Sequence, residues 1–115
     1  ELLLCQRYYE KSYSVDTAPG TAGASAGALG MYNAASGVGA AMIATRFKAS
    51  KRATPSVTNY SYNSGTAGNG YTSSGGADFT ASASNIGTEG MNLSNGSSLT
   101  AGFLAYYQWA ADAEL

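Results

Sequence analysis

The stretch from Tyr60 to Gly76 holds the chain's densest mixture of side chains suited to gripping a polar ligand without altering it. Tyr60, Tyr62 and Tyr71 supply rigid amphipathic rings, and Asn63 and Asn69, set among serines and glycines, supply adaptable hydrogen bonding. Sugars suit such a surface, because aromatic rings stack on their C–H faces and amide groups match their paired hydroxyls. These five residues are the candidate ligand-binding set. The competing reading is a mobile solvent loop whose glycines merely permit turns.

Other reactive side chains form weaker patterns. Arg46, Lys48, Lys51 and Arg52 cluster closely enough to attract an anionic polysaccharide or lipopolysaccharide phosphate. Such a run also serves as a solvated turn, or pairs with acids such as Glu114 of its own or a neighbouring chain. Asp16, Asp78 and Glu89 are scattered, without the spacing of a calcium loop or of the two facing acids that glycoside hydrolysis needs. No histidine is present, which removes the commonest general base and metal ligand. The single Cys5 cannot form an intrachain disulfide and reads as a small buried hydrophobe. The glycine pairs at Gly20 and Gly23 and at Gly37 and Gly39 lack the context of a nucleotide-binding loop. Three Asn-x-Ser sequons, at Asn59, Asn92 and Asn95, arise by chance in so Asn- and Ser-rich a chain. The expectation is a non-enzymatic protein with no catalytic residues, metal site or cofactor.

Charge and composition narrow the class. Six basic and seven acidic residues leave a net charge of −1, without the single-sign field that steers proteins onto nucleic acid or anionic membranes. The weakly polar stretch Val38–Thr45 is far shorter than the roughly 20 residues of a membrane span, so no membrane insertion is expected. At 115 residues the chain makes one domain, and its opening on Glu rather than Met reads as a piece of something longer. Glycine, alanine, serine and threonine fill more than half of it, so the aliphatic core is thin. Nine Tyr, three Met and one Trp supply the missing apolar area. A thin core predicts burial against further copies, hence a homotrimer.

The elements that must hold the tyrosine loop read as strands. Residues 2–13 are aromatic and apolar on both faces, which predicts a strand with protein on both sides. Residues 16–30 are too glycine-rich for a helix and read as loop followed by weak strand. Over 41–48, Ile43, Thr45 and Phe47 alternate with Arg46 and Lys48, as a half-buried strand requires. Residues 54–62 are β-branched and aromatic, 63–76 is dense in turn formers and reads as one long loop, and 77–83 resumes alternation around Phe79. A short strand around Met91 follows. The last segment is the most regular: Phe103, Ala105, Tyr107, Trp109, Ala111 and Ala113 share one face, and Gln108, Asp112 and Glu114 the other. Trp109 is therefore expected in the core. About six or seven strands without an amphipathic helix predict an all-β fold, an antiparallel β-sandwich.

Three groups of residues recur together in one known family. The opening Cys5-Gln6-Arg7-Tyr8-Tyr9, the central Phe47 with Arg52-Ala53-Thr54-Pro55-Ser56-Val57, and the closing Ala111-Asp112-Ala113-Glu114-Leu115 resemble the C-terminal domain of bacteriophage tail-fibre and related virion structural proteins. The resemblance implies that residues 1–115 form a single host-facing tip domain, that a longer fibre precedes Glu1, and that the chain end is the natural one. It further implies a place in the virion, at the tail fibre or tail tip, with bacterial surface polysaccharide or lipopolysaccharide as partner and other tail proteins contacted through the preceding part. A looser likeness, through Phe47, Pro55-Ser56-Val57, Gly102-Phe103 and Trp109-Ala110, is to H-type lectin domains. It implies a six-stranded sandwich assembled as a trimer. A structural domain that trimerises and caps a fibre, without receptor binding of its own, is the alternative.

Overall fold

The computed structural model describes residues 2–14, 16–33, 36, 37, 39, 41–73, 76–97, 99 and 101–113. In chain order the elements are a short helix α1 (Leu2–Gln6) and strands β1 (Tyr9–Lys11), β2 (Leu29–Asn33), β3 (Ile43–Arg46), β4 (Ser56–Tyr60), β5 (Asn69–Thr72), β6 (Ala77–Ser84), β7 (Gly90–Asn95) and β8 (Phe103–Asp112). All-β architecture is thus as expected, with eight antiparallel strands in one strongly curled sheet, a half-barrel.

β8 is the spine. Its later half is bracketed by β1 and β4, with Glu10 and Val57 both opposite Ala111. Its earlier half is bracketed by β2 and β5, with Met31 and Thr72 both opposite Ala105. From β5 the sheet continues through β6 and β7 to β3. β6 pairs with β5 along its first half and with β7 along its second, and this change of partner carries the curl.

Alternation along β8 places Ala105, Tyr107, Trp109 and Ala111 in the core, with Phe47, Phe79, Met91, Leu93 and Leu99. Aromatic pairs take the place of aliphatics: Phe47 meets Trp109 at 5.7 Å between ring centroids, and Phe79 meets Tyr107 edge-on at 5.6 Å. The aromatics therefore fill an interior that is poor in aliphatics. The chain exposes 5772 Å², against about 5,900 Å² for an ordinary folded monomer of this mass. Two of the large polar side chains inside are paired: Asn95 accepts from the Ala41 N–H at 2.9 Å and donates to the Gly37 carbonyl at 2.8 Å, while Tyr107 donates to the Ala41 carbonyl.

Two elements differ from the sequence reading. Leu2–Gln6 is helical, and strand begins only at Tyr9. β8 ends at Asp112, opposite Tyr9, with the Ala113 N–H donating to the Tyr8 carbonyl at 2.6 Å just beyond it, and ahead of this point a run of good helix formers closes its own turns. Within 63–76, residues Asn69–Thr72 form β5 rather than loop. Gly70 disguises that strand: a Cβ there would lie 2.5 Å from the Phe79 ring and 3.0 Å from the Tyr106 carbonyl. The glycine marks close packing in a strand, not freedom in a loop.

Candidate functional site

Tyr62, Tyr71 and Tyr106 converge on the outer face of the sheet. Tyr71 projects outward from β5 because its neighbours Gly70 and Thr72 are buried, and it lies in register with Tyr106 on β8. Tyr62 comes from the turn after β4. Ring centroids are 4.8 Å apart for Tyr62 and Tyr71, 5.3 Å for Tyr62 and Tyr106, and 6.5 Å for Tyr71 and Tyr106. All three are half-buried. The Tyr106 ring lies across Gly30 of β2, where a Cβ would come within 3.0 Å of it.

The turn that carries Tyr62 is braced from beneath. Asp78, opposite Tyr71 on β6, accepts a hydrogen bond from the Ser61 hydroxyl at 2.6 Å and another from the Ser64 hydroxyl. The Ser61 oxygen in turn accepts the Asn63 N–H at 3.2 Å. Asn59, buried at the end of β4, donates to the carbonyls of Asn69 and Ala81, both at 3.2 Å, tying three strands together behind the rings. Burial, and then the neighbouring Tyr71 and Tyr106, push the Tyr62 hydroxyl above its ordinary range. It remains a neutral donor and acceptor at physiological pH.

The five expected residues are divided by the fold. Tyr62 and Tyr71 join one group, and Asn69 shares Tyr71's face two residues away on β5. Tyr60 instead meets Tyr13 edge-on at 6.1 Å. Asn63 is exposed at the turn, where its carbonyl accepts the Gly23 N–H at 3.1 Å. Tyr106 was not among the candidates, although the alternation that sends Tyr107 inward sends it outward. Ser61, Ser64 and Asp78 gave no local signal.

The basic cluster is likewise split. Lys51 is buried, 2.7 Å from the Glu10 carboxylate, bonded also to the carbonyls of Gln6 and Ala49, and its ammonium sits 4.6 Å from the centre of the Phe47 ring. It cannot reach a ligand. Glu10 accepts the Lys48 N–H as well. The expected acid partner, Glu114, lies outside the described residues. Arg52 stacks on Tyr8 at 5.6 Å, leaving Arg46 and Lys48 as exposed cations of the group. Cys5 is exposed rather than buried, since α1 packs it outside the sheet. Asp16, Asp78 and Glu89 are not brought together, and no group of three or more Cys, Asp or Glu side chains among the described residues could hold a metal ion. Among the described residues no helix is long and apolar enough to cross a membrane.

Compared with protein families, curated proteins and solved structures, the chain matches none.

Proposed function

We propose that this chain is the receptor-binding tip domain of a bacteriophage tail fibre, recognising a bacterial surface glycan during host adsorption without chemical change. The observation that carries this reading is the gathering of Tyr62, Tyr71 and Tyr106, from three separated segments, onto one outward face held by Asp78 and Asn59. Rings fixed in this way offer apolar area to a sugar face at little entropic cost. Asn69 and the surrounding hydroxyls complete a polar rim. Single sugar sites are weak, so attachment depends on several copies acting together, which suits a homotrimer at a fibre tip whose preceding part joins other tail proteins in the virion. A sandwich-like trimer of the H-type lectin kind is the assembly this reading favours.

A glycan array probed with the purified domain tests the proposal. Replacing Tyr62 and Tyr71 together by Ala should abolish glycan retention and adsorption of assembled particles, with the melting temperature nearly unchanged. Undiminished retention by that double variant would sink it. One observation favours the alternative, a trimerising cap without receptor binding: Tyr32, Phe103 and Leu104 are exposed apolar side chains at one end of the paired strands β2 and β8. Glycan binding by the monomer that Leu104→Asp should release separates the two readings, because a binding tip keeps its weak single-site affinity while a cap binds no glycan in either state.

A further inference from the structure

The outer face of the sheet runs on from the tyrosines across three more strands. Alternation with the buried Phe79, Ala81, Met91 and Leu93 turns Asp78, Thr80, Ser82 and Ser84 of β6, and Asn92 and Ser94 of β7, outward. The registers make a continuous path: Tyr71 lies opposite Asp78, Ser84 opposite Asn92, and Asn92 opposite Ala44 of β3. It is a ribbon of hydroxyls and amides. At its far side, between β3 and the 85–89 turn, lies an open cleft of about 380 Å³ lined by Ala44, Arg46, Asn85, Thr88, Glu89 and Asn92, among others.

Arg46 sets the character of this cleft. It is exposed, and it makes no hydrogen bond, ion pair or ring contact among the described residues, unlike Lys51 and Arg52 of the same basic segment. Its stem is nevertheless placed. A Cβ on the opposing Gly90 would lie 2.4 Å from the Thr45 carbonyl and 3.3 Å from Arg46 Cδ, so the glycine permits the close approach of β3 to β7, and the arginine stem lies directly over it at the cleft. The Glu89 carboxylate on the same wall accepts the Ser50 hydroxyl.

We infer that the cleft is a subsite for a carboxylate-bearing sugar unit, which makes the recognised glycan an acidic one lying across the strands from the tyrosines to Arg46. The inference rests on the glycan-binding reading above. A planar guanidinium without an internal partner matches a carboxylate through two parallel hydrogen bonds. Asn85, Asn92 and Thr88 offer partners for the ring hydroxyls. Glu89 favours the anion of lower charge: it repels a doubly charged phosphate about twice as strongly as a single carboxylate at the same distance, and its free lone pairs can accept sugar hydroxyls.

The test is amide chemical-shift titration of the whole chain with galacturonate oligomers, neutral galactose oligomers and galactose phosphate. Galacturonate should shift the amides of residues 85–92 in wild type. Arg46→Gln should weaken that binding roughly tenfold to a hundredfold, the loss expected for hydrogen bonds to a charged group, and Lys48→Gln by less than about twofold. Arg46 is exposed, so both variants should melt like wild type. The inference is overturned if acidic sugars leave residues 85–92 unmoved, if galactose oligomers bind there equally well, if the phosphate binds more tightly, or if Lys48→Gln weakens binding as much as Arg46→Gln. Failure of the tyrosine surface reads out separately, because the Tyr62 and Tyr71 signals would then stay fixed while those of 85–92 still moved.

Discussion

Tyr106 and Tyr107 are chain neighbours on β8 with opposite fates. Tyr107 is fully buried, edge-on to Phe79, with its hydroxyl on the Ala41 carbonyl, and burial drives its ionisation far above the ordinary tyrosine range. Tyr106 stands half-exposed among Tyr62 and Tyr71. The same side chain fills the core on one face and packs in an outer tyrosine group on the other. A strand sends consecutive residues to opposite sides, and a polar atom on the inner side costs stability unless it is paired, while one on the outer side can be solvated.

The inner face should be the more sensitive to truncation. Trp109→Ala should destabilise the fold by about 3–5 kcal/mol, as large aromatic truncations in cores do, read as a lowered urea midpoint. Trp109→Phe should cost much less, because the buried indole N–H has no hydrogen-bond partner among the described residues and phenylalanine removes it. A normally folding Trp109→Ala that loses host adsorption would transfer Trp109 to the binding surface.

The basic segment offers the same contrast. Lys51→Met leaves the Glu10 carboxylate buried without its counter-ion, which should cost about 3–5 kcal/mol. The exposed Lys48→Met should stay within about 0.5 kcal/mol. Equal effects in denaturant titrations would erase the distinction between buried and surface cations.

The adjacent tyrosines give the cleanest comparison, though a smaller effect. Tyr107→Phe strips the Ala41 carbonyl of its donor and should cost about 1–3 kcal/mol. Tyr106→Phe, on the open face, should change stability by less than about 0.5 kcal/mol. Comparable losses would mean that the outer group is itself a core.

The gentlest probe is alkaline titration. Tyr9, Tyr13, Tyr62 and Tyr107 all ionise above the ordinary tyrosine value of about 10 in the folded chain, mainly through burial. Above pH 10 the unfolded chain therefore holds fewer protons than the folded one. Stability is fully present below pH 10 and falls as the pH rises beyond it. Tyrosinate absorbance should appear last for Tyr107, and Tyr107→Phe should remove the latest phase.

Much of the fold was legible where the signal was local. β6 and β8 followed from alternation around Phe79 and along Ala105 to Ala111, and Trp109 was placed inside on that ground alone. β5 was not legible, because Gly70 reads as a turn former until the Phe79 ring is found above it. Of the outer tyrosine group, Tyr62 and Tyr71 stand out in composition, while Tyr106 gives no such signal beside the regular inward series that contains Tyr107. Tyr60 was included through proximity in the chain, yet its ring packs on Tyr13.

Side-chain direction within a strand is a period-two property of the backbone, so sequence alone determined that Ala105, Tyr107, Trp109 and Ala111 of β8 face inward and that the chain is built of strands, whereas Phe103 on the same face is exposed and Gln108 on the other is buried. Which outward residues meet was settled only when the strands paired. Tyr71 reaches Tyr106, Ser61 and Ser64 reach Asp78, and Lys51 reaches Glu10 across registers and loop closures that no local spacing encodes, because one residue of slip in any strand would carry its side chains to the opposite face.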